Sequence, residues 1–163
     1  MGKISVCIAS YNGALYIEEQ IRSIFEQSIP VDEIIISDNG SSDDTLNKIS
    51  FLSDNRIRVY NFQEKDVSKN FENALNRATG DYIFLCDQDD IWYETKVEKM
   101  LKFIDNFGLV ISNAHVFNRE GVYGSWFSLR RSSKSVLFNT VRFSFLGCCF
   151  FVAHSNTKPG MRI

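Results

Sequence analysis

The chain has 163 residues, a length that suits one domain with a single hydrophobic core. Hydrophobic residues make up 44% and charged residues 23%, which excludes a disordered tail, a collagen-like fibre and a coiled coil. Residues 1–100 hold 18 acidic and 10 basic side chains, whereas residues 101–163 hold 2 and 8. The acidic first hundred residues argue against nucleic acid as a partner and favour a divalent cation.

Strands and helices alternate along the sequence. Apolar runs predict strands at residues 4–9, 33–37, 57–62, 82–86 and 109–112. Helical spacing of apolar residues predicts four intervening helices, marked by Ile17, Ile21, Ile24 and Phe25, then Leu46 and Ile49, then Phe71, Ala74, Leu75 and Ala78, then Val97, Met100, Leu101 and Ile104. Ser41 or Ser42 is placed to cap the second helix. Four βα units predict an α/β domain with a mainly parallel sheet and helices on both faces.

The short apolar runs and the cysteines both indicate a cytoplasmic protein. The run near the start, Ile4 to Ala9, is too short for a membrane span or a secretory signal, and no basic segment accompanies it. The cysteines lack metal-binding spacing, so they are interpreted as reduced core residues: Cys7, Cys86, Cys148 and Cys149.

Polar residues follow the predicted strands at the edge where a parallel sheet binds ligands. They are residues 10–13 after the first strand, 38–40 after the second, 65–70 after the third and 87–90 after the fourth. Asn, Gly and Asp also form ordinary turns, but four such segments are expected to meet at one edge. The sequence therefore predicts a single ligand site there.

Three aspartates after the fourth strand predict a metal site. Asp87, Asp89 and Asp90 would repel each other unless a hard cation such as Mg²⁺ or Mn²⁺ neutralised them. A diphosphate would supply further oxygen ligands. The alternative is a solvated acidic loop at the start of the next helix, where Asp90 and Glu94 would face its positive end.

The neighbouring loops favour a nucleotide as the ligand. Tyr11 is placed to stack on a base, Asp38 or Asn39 to bond a base or ribose edge, and Lys69 to meet a diphosphate. Because the sequence has neither GxGxxG nor GxxxxGK[ST], side chains and a metal are expected to hold the phosphates.

Three ordered motifs resemble those of family 2 glycosyltransferases with the GT-A fold, a Rossmann-like sheet. They are residues 5–12, residues 32–43, and Ala78-Thr79-Gly80-Asp81-Tyr82-Ile83 leading to Asp87-Gln88-Asp89-Asp90-Ile91-Trp92. The resemblance spans roughly residues 3–117, and the last motif is similar to that of a rhamnosyltransferase-like branch that builds bacterial surface polysaccharides.

The resemblance implies a donor site and a metal site. The implied donor-binding residues are Ser10, Tyr11, Asn12, Asp38, Asn39, Lys69, Asn70, Asp87 and Gln88. Asp87 and Asp89 match the DXD motif and are the implied ligands of Mg²⁺ or Mn²⁺, and Asp38 is implied to contact uracil or thymine. Asn39 departs from the family, in which many members have a second aspartate there.

The resemblance weakens after residue 117. Residues 1–117 are therefore assigned to donor binding and residues 118–163 to an incomplete acceptor-side region of the same domain. Inverting transfer needs a general base. Residues 145–151 resemble the strand before the family's base, but Glu120 lies in a predicted hairpin turn and His154 in an atypical tail. We expect either a truncated chain that has lost the base or an acid from elsewhere.

The basic segment 126–145 mixes arginine and lysine with aromatic residues. Such a segment either packs into a core or lies on an anionic membrane, where a lipid-linked acceptor would be found. We therefore expect a cytoplasmic protein, with peripheral contact at the inner membrane face as the alternative placement.

Three functional hypotheses remain open. The first is transfer of a sugar, with rhamnose as one candidate, from a UDP- or dTDP-linked donor to a growing O-antigen or capsule-type polysaccharide. The second is a non-catalytic remnant that binds nucleotide sugars. The third is a haloacid-dehalogenase-like phosphatase, because an apolar strand followed by Asp87-x-Asp89 is also its nucleophile signature.

Overall fold

The computed structural model describes residues 2–104, 109–118, 121–125 and 150–153. The helices within these residues are α1 (Ile17–Phe25), α2 (Thr45–Phe51), α3 (Val67–Leu75) and α4 (Lys96–Ile104). The strands are β1 (Ile4–Ser10), β2 (Glu33–Asp38), β3 (Ile57–Asn61), β4 (Tyr82–Asp87), β5 (Leu109–Ile111), β6 (His115–Asn118), β7 (Gly121–Ser125) and β8 (Phe150–Ala153).

The main sheet has the strand order β3-β2-β1-β4-β8-β5. Strands β1 to β4 pair in parallel, and β8 is antiparallel to both β4 and β5. The predicted mainly parallel α/β sheet is confirmed. The strand expected at 145–151 is found at 150–153, and residues 145–149 lie outside the described residues.

Helices cover both faces of the sheet, as predicted. Alternate side chains of each parallel strand point to opposite faces. On one face Val6, Ile36 and Phe84 pack with buried residues of α1, α2 and α4. On the other, Cys7 and Ile35 pack against α3. Both faces of the central strands are thus apolar, which explains their nearly continuous apolar sequences.

The helix predicted through Leu46 and Ile49 is confirmed as α2, but its predicted serine cap is wrong. Neither serine caps the helix, because Ser41 Oγ donates to Asp38 Oδ1 at 2.6 Å and the Ser42 backbone nitrogen donates to Asn12 Oδ1 at 2.8 Å. Asp44 occupies the N-cap position and makes no side-chain capping bond. Leu46 is 43% exposed, so Ile49 rather than Leu46 anchors this helix in the core.

Two further predictions concern the end of α3 and the chain near residue 118. Ala78 lies beyond the end of α3 at Leu75, although it still packs against the smaller core cluster. The hairpin predicted near residue 118 is present, since β6 and β7 pair with Asn118 opposite Gly121.

The cysteine interpretation is confirmed for Cys7 and Cys86, which are free and buried. Burial, followed by the nearby charge of Glu33, raises the pKa of Cys7 to about 12. Burial also raises the pKa of Cys86 well above that of an exposed thiol. Cys148 and Cys149 lie outside the described residues.

A buried carboxylate, Glu33, joins the strands at their amino ends. Its oxygens accept hydrogen bonds from Ser5 Oγ at 2.6 Å and from the Thr79 backbone nitrogen at 2.6 Å. Lys3 Nζ forms an ion pair with it at 3.0 Å. Burial raises the pKa of Glu33, but these hydrogen bonds outweigh that effect and lower it to about 2. At this edge of the sheet, the carboxylate is enclosed by contacts within the chain.

The opposite edge contains the position where the strand order reverses, since β1 lies between β2 and β4. Open α/β sheets bind ligands beyond the carboxyl ends of strands at such a position.

Across the described residues, no helix combines the length and the apolar character needed to cross a bilayer.

Candidate functional site

A cavity of about 380 Å³ lies beyond the carboxyl ends of β1, β2 and β4. Predicted donor-site or metal-site residues that line it are Ser10, Tyr11, Asn39, Asn70, Asp87, Gln88 and Asp89. Its remaining lining residues are Ala9, Lys65 and Val67. The fold therefore brings together segments that are up to 80 positions apart in the sequence, as the parallel arrangement requires.

The two outer acids of the Asp-Gln-Asp sequence both face this cavity. Asp87 ends β4 opposite Ala9 of β1, and Asp89 follows it in the turn. No group of three or more His, Cys, Asp or Glu side chains suited to a metal occurs among the described residues. Two carboxylates beside a ligand diphosphate are nevertheless the usual donor set for Mg²⁺, so the residues present fit such an ion.

Three predicted donor residues do not line the cavity. Asp38 is buried and accepts hydrogen bonds from Ser10 Oγ at 2.8 Å and from the Ser41 backbone nitrogen at 2.8 Å. The Asn12 side chain is bonded to residue 42 of the next loop. Lys69 Nζ pairs with Glu64 at 2.6 Å, and this contact raises the pKa of Lys69. These three side chains form their contacts with other residues of the chain and not with the cavity.

Lys65 takes the place at the cavity that the sequence assigned to Lys69. Its backbone has a positive φ of 49°, and its backbone nitrogen donates to Asn39 Oδ1 at 3.1 Å. The segment 65–70 was predicted to lie at this edge, but the start of α3 decides which lysine faces the cavity. Asp66 caps α3 by accepting from the Lys69 backbone nitrogen, which leaves Lys65 in the preceding loop.

Asn70 combines deep burial with an available acceptor. It is 3% exposed, and its Nδ2 donates to the Ser10 carbonyl at 3.3 Å. Within the described part of the chain, Asn70 Oδ1 has no hydrogen-bond partner. A buried polar atom without a partner is costly, so this oxygen is suited to accept a hydrogen bond from a ligand in the cavity.

Side chains at and just before the start of α2 support the loop after β1. Thr45 Oγ1 accepts from the Gly13 backbone nitrogen at 2.8 Å, and Asp43 Oδ2 accepts from the Ala14 backbone nitrogen at 3.0 Å. The hydrogen bond from the Thr45 hydroxyl is the main cause of the lowered pKa of Asp43. The sequence did not predict a role for either side chain, although Asp43 ends the motif at residues 32–43.

A comparison with known families identifies the chain. The family model described as "Glycosyl transferase family 2" matches residues 5–156. The chain belongs to this family. The match includes the segments that line the cavity, and it leaves the dehalogenase-like phosphatase hypothesis without support.

Three curated relatives of this glycosyltransferase family 2 chain come from bacteria. "Putative teichuronic acid biosynthesis glycosyltransferase TuaG" of Bacillus subtilis is 38% identical over 104 residues, covering 62% of this chain and 41% of the relative. "dTDP-rhamnosyl transferase RfbG" of Shigella flexneri is 35% identical over 119 residues, covering 68% and 39%. An Escherichia coli relative, "UDP-Glc:alpha-D-GlcNAc-diphosphoundecaprenol beta-1,3-glucosyltransferase WfgD", is 29% identical over 126 residues, covering 76% and 50%. The chain spans half or less of these relatives.

Solved structures show the same fold. S. aureus TarS 1–349 in complex with UDP-GlcNAc superposes with a TM-score of 0.72 at 22% identity, covering 93% of this chain and 45% of TarS. Mannosyltransferase PcManGT from Pyrobaculum calidifontis, in complex with GDP-Man and Mn²⁺, gives 0.66 at 20% identity, covering 93% and 44%. The family 2 chain therefore has the GT-A fold.

Proposed function

We propose that this chain binds a UDP- or dTDP-linked sugar and forms the donor side of an inverting glycosyltransferase. The observation that carries the proposal is a cavity that gathers an exposed aromatic ring, three amides, a lysine and two carboxylates. Its volume of about 380 Å³ lies within the range that small ligands occupy.

Each group has a proposed part in donor binding. The ring of Tyr11, which is 52% exposed, stacks on the base. Asn39 and Asn70 bond the base or ribose, and Lys65 offers positive charge to the diphosphate. Asp38 supports the base side indirectly, through its hydrogen bonds to Ser10 and Ser41.

Asp87 and Asp89 are the proposed ligands of Mg²⁺ or Mn²⁺. When bound, the ion supplies Lewis-acid stabilisation of the departing nucleoside diphosphate. Transfer also requires a base near the acceptor hydroxyl. Since the two carboxylates at the cavity are assigned to the metal, we propose that the base comes from another part of the protein. Glu120 and His154 lie outside the described residues.

The proposed product is a bacterial surface polysaccharide. TuaG is named for teichuronic acid biosynthesis, RfbG for dTDP-rhamnosyl transfer and WfgD for a diphosphoundecaprenol-linked acceptor. These names support a glycan or lipid-linked acceptor and include rhamnose among the candidate sugars. Because the acceptor named for WfgD is lipid-linked, we propose that this chain works in the cytoplasm at the inner membrane face.

Calorimetric titration of UDP, dTDP and GDP into the full chain, with and without Mn²⁺, tests donor binding. We expect UDP or dTDP to bind in the presence of Mn²⁺ and Asp89→Ala to remove that binding. Glu72→Gln, which changes an exposed acid on α3, is the matched control and should bind as the wild type does. A folded wild-type chain that binds no nucleotide would refute the proposal.

A second assay separates binding from transfer. The chain is incubated with UDP-glucose or dTDP-rhamnose and bacterial membranes that contain lipid-linked glycans, and release of the nucleoside diphosphate is measured. Release that depends on the acceptor supports a transferase. Binding without release supports the hypothesis of a non-catalytic donor-binding remnant.

A further inference from the structure

The side chain of Gln88 is bonded to the backbone of Tyr11 from both sides of its amide. The Tyr11 backbone nitrogen donates to Gln88 Oε1 at 2.8 Å, and Gln88 Nε2 donates to the Tyr11 carbonyl at 3.0 Å. A primary amide carries one acceptor and two donors, so it is complementary to the two polar backbone groups of a single residue.

These bonds lie directly beyond the region where β1 and β4 pair. The last register pair of the two strands is Ala9 with Asp87. Tyr11 and Gln88 are the second and first residues after that pair in their respective segments. The Gln88 side chain therefore continues the connection between β1 and β4 after the backbone pairing has ended.

The loop after β1 leaves room for this amide. A Cβ atom added to Gly13 would lie 2.7 Å from Gln88 Cδ and closer still to Gln88 Oε1. A free glutamine could move aside at little cost, but this one would have to give up its bonds to Tyr11. The absence of a side chain at Gly13 thus allows Gln88 to keep its hydrogen bonds to Tyr11.

We infer that Gln88 is a positioning residue that fixes Tyr11 in the cavity and does not itself bind the nucleotide. This inference rests on the proposed function, in which Tyr11 stacks on the base. Asp87 and Asp89, on either side of Gln88, line the same cavity. Gln88 therefore sets the position of the base-stacking ring relative to the two metal-binding carboxylates. The distance between ring and carboxylates must suit the distance between the base and the diphosphate of the nucleotide.

A double-mutant cycle tests this inference, with UDP and Mn²⁺ as the ligand and the full chain as the protein. Gln88→Met keeps the length of the side chain and removes both hydrogen bonds. We expect it to weaken UDP binding roughly tenfold, as the loss of two neutral hydrogen bonds would. In a Tyr11→Ala background the same substitution should change affinity by less than about twofold, because the residue that Gln88 positions has lost its ring.

Pyrophosphate with Mn²⁺ serves as a second probe, since it has no base. Its affinity should stay within about twofold in Gln88→Met. An equal loss for pyrophosphate and UDP would mean that Gln88 acts on the metal side, and a tenfold loss that persists without the Tyr11 ring would mean that Gln88 contacts the nucleotide. Either result overturns the inference, as does unchanged UDP binding by Gln88→Met.

Gly13→Ala disturbs the same contact from the opposite side and serves if Gln88→Met fails to fold. We expect a similar loss of UDP affinity with pyrophosphate affinity kept within about twofold, whereas wild-type UDP affinity in Gly13→Ala would contradict the inference. A folded wild-type chain that binds neither UDP nor dTDP would instead refute the proposed function, and the inference with it. The two failures are therefore distinguishable.

Discussion

The two edges of the main sheet hold carboxylates in opposite situations. At the amino ends of the strands, Glu33 is buried and surrounded by hydrogen-bond donors from β1 and from residue 79. At the carboxyl ends, Asp87 and Asp89 line a cavity. A carboxylate enclosed by protein donors stabilises the fold, whereas carboxylates that line a cavity are suited to contact a bound cation. The carboxylate at the amino ends of the strands thus contributes to stability, and those at the carboxyl ends are placed for binding.

The largest effect is expected from Glu33→Gln. The amide oxygen can still accept from the Thr79 backbone nitrogen, but the amide NH2 group then faces the Lys3 ammonium, which loses its buried ion-pair partner. We expect the free energy of unfolding to fall by about 3 kcal/mol, measured by urea denaturation. Glu72→Gln on the surface of α3 should leave it within about 0.5 kcal/mol. UDP binding by the folded Glu33→Gln protein should match the wild type. A loss of binding without a loss of stability would contradict the structural role assigned to Glu33.

The pH dependence of stability tests the same carboxylate. The pKa of Glu33 is about 2 in the folded protein, lowered from 4.5. The folded state therefore holds the ionised form more strongly, so its stabilising contribution is complete above pH 4.5 and is lost as the pH falls toward 2. The stability difference between wild type and Glu33→Gln should shrink over this window. A difference that stays constant from pH 6 to pH 3 would contradict the assignment.

At the other edge, Asp89→Asn should change binding and spare stability. We expect the affinity for UDP with Mn²⁺ to fall about 100-fold, because a neutral amide replaces a metal-binding carboxylate. Thermal unfolding without metal should occur at an unchanged or higher temperature, since one of two neighbouring negative charges has been removed. A large drop in thermal stability would assign Asp89 the same role as Glu33.

The smallest effect compares two lysines near the start of α3. Lys65 lines the cavity, whereas Lys69 pairs with Glu64. Lys65→Met should weaken UDP binding about fivefold, and Lys69→Met should change it by less than about twofold. Isothermal titration of both variants gives the comparison. The reverse order of effects would support the role that the family resemblance implied for Lys69.

Much of the fold was predictable because the central strands are buried on both faces. Runs such as Ile34-Ile35-Ile36 indicate parallel strands whatever their neighbours are. The place of β8 between β4 and β5 was not predictable, because it depends on pairing between distant segments. The cap of α2 was mispredicted, since Ser41 and Ser42 bond to the adjacent loops.

The site was predictable as a set of segments and less so as individual side chains. Any residue after β1, β2 or β4 was expected at one edge, and the cavity is lined from these segments. Asp38 ends β2 and Asn12 follows β1, but both bond to the protein instead of lining the cavity. Lys65 precedes α3, whereas Lys69 lies within its first turn. Such differences depend on local geometry that residue type does not encode.

The buried thiols give this protein two built-in reporters of its own opening. Cys7 packs toward α3, and Cys86 packs in the cluster that contains residues of α1 and α4. Since burial keeps both in the unreactive thiol form, an alkylating reagent can modify each only when its face of the sheet is exposed. Alkylation followed by peptide mass spectrometry would therefore time the release of the two helical layers separately. Equal rates would mean that both layers leave the sheet in one cooperative event.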